Sequence, residues 1–228
     1  MKILKYFAIL FILIVLVLGG LFFYLNEPLP EGKKGEAADE LAHMVLDAIN
    51  HEEYERLGTI SWTYKKDQHH FIWDKRNNVV NVRWEDYEVD FYPDNMKGSA
   101  KKGNETLTGE SLERTINQAW SLFANDSFWL VAPFKIFDPG TIRNIVETED
   151  GPALMITYQS GGVTPGDSYL WMLGSDFKPK SWKMWTQIIP IGGVTFSWEQ
   201  WENHEGVWFA PIHRGLVDID IIDLRVTK

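Results

Sequence analysis

Residues 6–25 (YFAILFILIVLVLGGLFFYL) carry no charge, and that run limits the architecture more than any other part of the chain. Twenty residues at about 1.5 Å each make a helix of about 30 Å, the hydrocarbon thickness of a bilayer. Lys2 and Lys5 precede it. Lysines on that flank favour a cytoplasmic N-terminus, which puts everything after Leu25 on the far side. A cleaved signal peptide has a shorter apolar core, about 7–15 residues, ending in a small-x-small site. Its one candidate here, Val17-Leu18-Gly19, would leave an apolar LFFYLN start, so an uncleaved anchor is favoured. The expected division is a cytoplasmic stub at 1–5, a transmembrane signal anchor at 6–25, a linker at 26–35 rich in Pro, Gly and charge, and an extracytoplasmic domain at 36–228. The chain is therefore expected to be a single-pass membrane protein whose first partner is the bilayer, with residues 26–228 outside the cytoplasm and periplasmic in a Gram-negative cell.

Composition narrows the function of that outer part. With no cysteine among 228 residues, disulfide scaffolds, Cys-ligated metal sites, cysteine nucleophiles and lipid attachment to an N-terminal cysteine are all excluded. Residues 26–228 hold 20 Lys plus Arg against all 32 acids, a net −12. Nucleic acid is not an expected partner of so acidic a domain, because affinity for it comes largely from cations neutralising phosphates. The same charge opposes adhesion to an anionic membrane surface.

Periodicity gives the elements. Residues 36–57 place Leu41, Met44, Val45, Ala48 and Ile49 at helical spacing, with acids in the first turn and Gly58 after the end, and predict one amphipathic helix. From Thr59 the period becomes two, through Ile60, Trp62 and Tyr64, Phe71 and Trp73, Val80, Val82 and Trp84, then Tyr87, Val89 and Phe91; four antiparallel strands are expected. Residues 93–109 are polar and glycine-containing, and read as a loop. A second helix is expected over 110–125, with Leu112, Ile116, Ala119, Trp120 and Phe123 on one face. It leads into 126–140, an aromatic stretch that either packs over a sheet or forms a lid. Strands are expected at 141–148, 153–160, 168–173, 181–189, 194–201, 207–212 and 216–226, with Val217, Ile219 and Ile221 facing inward. The fold class is mainly β (α+β): an N-terminal transmembrane helix, then a curved antiparallel sheet or unclosed barrel capped by two helices.

This order of elements resembles the LolA/LolB-like superfamily of periplasmic lipoprotein carriers, and the LolA-like proteins of unassigned function from Bacteroidetes. The likeness runs over about residues 36–228. It rests on a leading helix running into a tryptophan strand at 50–64, the Phe71-x-Trp73 hairpin, and the inserted aromatic segment 119–137. It implies an unclosed barrel capped by helices, with a hydrophobic hollow for acyl chains. The chain departs from those relatives in having a protein anchor and no cysteine to lipidate, which argues against free shuttling. No catalytic or ligand position carries over.

Little in the sequence suggests chemistry. His69 and His70 are adjacent on a strand and point to opposite faces, so they read as surface polarity beside a turn. His204, His213, Asp218 and Asp220 are a weak metal candidate, and the two aspartates are more simply the wet face of a strand. The glycine-rich 161–167 joins strand to strand, without the helix a phosphate loop needs. No G-x-S-x-G occurs. Neither catalytic residues, metal nor cofactor is expected.

Two functions from different classes are left. In the first, Trp62, Trp73, Trp84, Trp120, Phe123, Trp129, Phe134, Trp171, Trp182 and Trp198 enclose a cavity for lipid or another apolar ligand. In the second, the same residues fill a core, and the domain is a structural or interaction module of the cell envelope meeting a protein partner. A weaker third reading makes the tryptophans stacking platforms for a sugar polymer.

Overall fold

The computed structural model describes residues 2–228, apart from the side chains of 2–5, 8, 9, 15, 18 and 21. The flanking charges of Lys2 and Lys5 therefore lie outside the described residues. Helix α1 (Lys2–Leu25) runs through the uncharged segment and includes most of the expected stub. Among the described residues no helix is long and apolar enough to cross a membrane; the transmembrane reading of 6–25 draws on the sequence alone.

Residues 26–35, expected as a plain linker, are docked along the protein. Lys33 exchanges both backbone hydrogen bonds with Ile145, at 2.8 and 2.9 Å. The Glu27 N–H donates to Gly192 O at 3.0 Å, and Lys183 Nζ donates to the Glu27 carboxylate at 2.6 Å. This strap is a covalent continuation of α1.

The helix expected over 36–57 is two helices, α2 (Glu36–Ile49) and α3 (His51–Glu55). Asn50 separates them in the left-handed region, at φ 60°, a conformation Asn tolerates better than most residues. Its side-chain amide donates to Gly206 O at 2.8 Å, so the break also ties the helices to a distant hairpin.

The next four strands fall where alternation placed them: β1 (Thr59–Tyr64), β2 (His69–Asp74), β3 (Val79–Trp84) and β4 (Tyr87–Tyr92). The expected loop at 93–109 is instead β5 (Lys97–Lys102) and β6 (Glu105–Thr106). Of the β5 residues only Ala100 is buried, so no apolar alternation announces the strand. Gly98 permits the pairing, because a Cβ there would come within 2.8 Å of Phe91 Cα on β4.

The second long helix does not stop at Asn125. As α4 (Gly109–Val131) it continues through most of the aromatic stretch and ends in a 3-10 turn, Ala132–Phe134. Then follow β7 (Thr141–Thr148), β8 (Gly151–Tyr158), β9 (Ser168–Leu173), β10 (Pro179–Trp185), β11 (Val194–Ser197), β12 (Glu202–His204), β13 (Val207–Phe209), β14 (Ile212–His213) and β15 (Ile219–Thr227). The expected strand at 181–189 ends at Trp185, and that at 216–226 begins at Ile219, leaving Val217 exposed rather than inward.

All strand pairs are antiparallel. One sheet has the order β14-β15-β1-β2-β3-β4-β5-β6 and the other β11-β10-β9-β8-β7, with β12-β13 a separate hairpin. The two sheets meet where Ser197 N–H donates to Arg214 O at 2.8 Å and Glu199 N–H to Ile212 O at 2.9 Å. Strands therefore follow one another from β6 round to β7 without the ends joining, and bulges in β15, opposite Ser61 to Thr63, and in β10 add bend. Mainly β, with curved and unclosed antiparallel sheets and a few helices, is the observed architecture. The strap at Lys33 covers the β7 edge, which would otherwise offer bare backbone groups.

Helix α4 packs against both sheets. Phe123 lies 5.5–6.3 Å, ring to ring, from Trp62, Phe71, Trp73 and Phe91 of the larger sheet. About a turn and a half on, Phe128 and Trp129 meet Trp182 of the smaller sheet at 5.7 and 5.0 Å. Such aromatic pairs contribute about 0.5–1.5 kcal/mol each beyond area burial.

Candidate functional site

Between α4 and the two sheets lies an open cavity of about 610 Å3, inside the usual range of about 300–1,000 Å3 for small-molecule sites. One wall is Trp73 on β2 with Trp120, Phe123 and Ala124 on α4; the other is Tyr158, Tyr169, Trp182 and Met184 on β8, β9 and β10, with Phe128 and Trp129 of α4. The walls are apolar because strand parity and helix period bring the same faces together. Polar residues also contribute to the lining, among them Asn78, Asp94, Asn125 and Asp138, as do parts of two loops, 160–164 and Thr186 with Ile188.

The structure divides the ten aromatic candidates evenly. Trp73, Trp120, Phe123, Trp129 and Trp182 line the cavity. Trp62, Trp84, Phe134, Trp171 and Trp198 do not; they are core. Trp62 stacks on Phe71 at 4.9 Å, Trp84 on Tyr87 at 5.0 Å, and Phe134 on Tyr54 at 4.0 Å. Trp171 and Trp198 pack on each other and behind Trp182, all at 4.8–5.0 Å. Alternation identifies the inner face of a strand, but not whether a ring on that face meets another ring or an opening. As the wall behind the cavity, the Trp171–Trp182–Trp198 cluster is densely packed and holds Trp182 in place.

One feature of the site contradicts the sequence reading. His69 is not surface polarity. Its Nδ1 donates to Asp126 Oδ2 at 2.6 Å, with side-chain exposures of 14% and 11%, and Asp126 and the neighbouring Tyr64 line the cavity. The bond to Asp126 pushes the His69 imidazole above its ordinary value, against burial. Burial pushes the Asp126 carboxyl up, and the His69 bond pulls it back. Burial likewise raises the Tyr64 phenol. The signal was strand parity: His69 shares a face with Phe71 and Trp73, so the inner face of β2 begins with a histidine. His70, on the other face, is 2.9 Å from Thr63 Oγ1.

The weak metal candidate is dispersed. His213 is fully buried against Trp198 and Trp129; its Nδ1 donates to Ser197 O at 3.0 Å, and burial pushes its value down to about 4. His204 lies beside Glu202, and Asp220 is bound by Arg214 and Lys65. Among the described residues no three such side chains group to hold a metal ion.

No protein-family model matches the chain, and no curated protein matches it in sequence. Among solved structures, a DUF1329 family protein from Desulfovibrio piger is similar, with a TM-score of 0.43 and 12% identity over 84% of this chain and 93% of that one.

Proposed function

We propose that the chain is a membrane-anchored, LolA/LolB-like extracytoplasmic domain that binds a lipid acyl chain, or another apolar ligand of that shape, in the cavity between α4 and the curved sheets. The observation that carries this is the cavity itself: about 610 Å3, walled by aromatic side chains from both sheets and the helix between them. Each buried methylene contributes about 0.8 kcal/mol, so a long chain binds there without a strong polar anchor. The anchor is supported by the uncharged run at 6–25 and its flanking lysines. In this reading the protein binds and does not catalyse, and the His69–Asp126 pair holds β2 to α4.

The test is lipid analysis of residues 26–228, which keep the strap, purified from cells and examined by mass spectrometry. Co-purifying acyl lipid at near-stoichiometric amount is the expected result. Empty protein that also takes up no fatty acid on incubation would overturn it. The five packed candidates favour a second reading, an envelope interaction domain bound to a protein partner. That reading expects the empty outcome.

A further inference from the structure

Two loops at the cavity mouth stand out in so acidic a domain. Residues 160–166 (SGGVTPG) and 187–193 (QIIPIGG) contain no charged side chain. They form one unit: Gln187 N–H donates to Asp167 Oδ1 at 3.0 Å, and the Gln187 side-chain amide donates to Pro165 O. Both contribute cavity lining, including Val163 and Ile188, and those two side chains are 39% and 71% exposed. Apolar side chains of this size, exposed on two hydrogen-bonded loops without charge beside a cavity, make an apolar patch there.

The chain connectivity says where that patch lies. Asn26 directly follows the last residue of α1, and its Oδ1 accepts from the Gly192 N–H at 2.8 Å. Next, Glu27 N–H donates to Gly192 O at 3.0 Å, and Trp185 Nε1–H donates to Glu27 O at 2.8 Å. The contact is close enough to require glycine, since a Cβ on Gly192 would stand 2.6 Å from Glu27 O. The 187–193 loop is thus pinned to the first residue beyond α1.

We propose that these two loops seat in the surface of the bilayer that α1 anchors, so that the cavity opens onto that leaflet and takes its ligand from it. This rests on the anchor and cavity readings above. Because the domain carries a net −12, attraction to lipid headgroup charge does not drive the seating. Insertion of Ile188 and Val163 does, and it is therefore insensitive to salt.

The absence of native cysteine makes the test clean. Full-length Ile188→Cys, Val163→Cys and, at the opposite end of the strand order, Lys101→Cys are each labelled with a polarity-sensitive fluorophore. They are reconstituted into dioleoylphosphatidylcholine vesicles doped with lipid carrying a shallow nitroxide. The expected result is blue-shifted emission and strong quenching at 188 and 163, little at 101, and no change in high salt. Protein that floats with the vesicles while all three probes stay water-exposed overturns this inference and leaves the anchor standing. Protein that does not float overturns both. Membrane-immersed loops on protein that yields no bound lipid would uphold the seating and sink the cavity reading instead.

Discussion

His69 and Asp126 form a hydrogen-bonded pair where solvent barely reaches, and the pair ties β2 to α4 at the edge of the cavity. Since folding raises the His69 value, the bond contributes fully below about pH 6.5, the ordinary histidine value, and its contribution is lost as pH rises through the raised one. Asp126→Asn should therefore cost roughly 1.5–3 kcal/mol near pH 6 and progressively less in more alkaline buffer, read by urea unfolding across pH. A cost that stays constant with pH would contradict the pairing. Two tryptophans separate core from site. Trp171, 1% exposed, should cost about 3–5 kcal/mol as Trp171→Ala. Trp120→Ala, on the cavity wall, should cost markedly less stability but weaken fatty-acid binding in a fluorescence titration. His69 was readable in advance from its parity with Phe71 and Trp73. The split between Trp171 and Trp120 was not, because it depends on which rings from distant strands meet.

At the level of elements, β1 to β4 were legible because each strand alternates apolar and polar residues against a buried face, and β9 because Tyr169 to Leu173 form a short continuous apolar run. Strand β5 was not, since five of its six side chains are exposed and its place in the sheet comes from backbone pairing. Gly98→Val tests that pairing: its side chain would collide with β4, and the amides of β5 should lose protection from hydrogen exchange while those of β1 keep theirs. The continuation of α4 past Asn125 was hidden by Asp126 and Ser127, polar residues that are buried rather than helix-ending. The strap was missed because Pro, Gly and charge read as a free linker, whereas its attachment comes from Gly192 and the β7 edge. Gly192→Ala should push Glu27 away, and faster exchange at the Lys33 and Ile145 amides would report its release.

For the whole molecule, a curved sheet that stays open needs something to fill or cover its hollow, and α4 does so only in part. Its Phe123 turn closes on the larger sheet and its Phe128–Trp129 turn on the smaller, leaving the cavity beside them. The sequence implied an inner aromatic surface; the size of the opening follows from how far two sheets and a helix stand apart, which no local pattern records. Trp73, Trp120, Trp129 and Trp182 all border that opening, so an acyl chain inside it would touch several indoles at once. Quenching of intrinsic tryptophan fluorescence by a fatty acid brominated in mid-chain is the most direct measurement. Saturable quenching, competed away by the unbrominated acid, is the predicted result; fluorescence that ignores the brominated acid in protein freed of bound lipid would contradict a ligand-binding cavity.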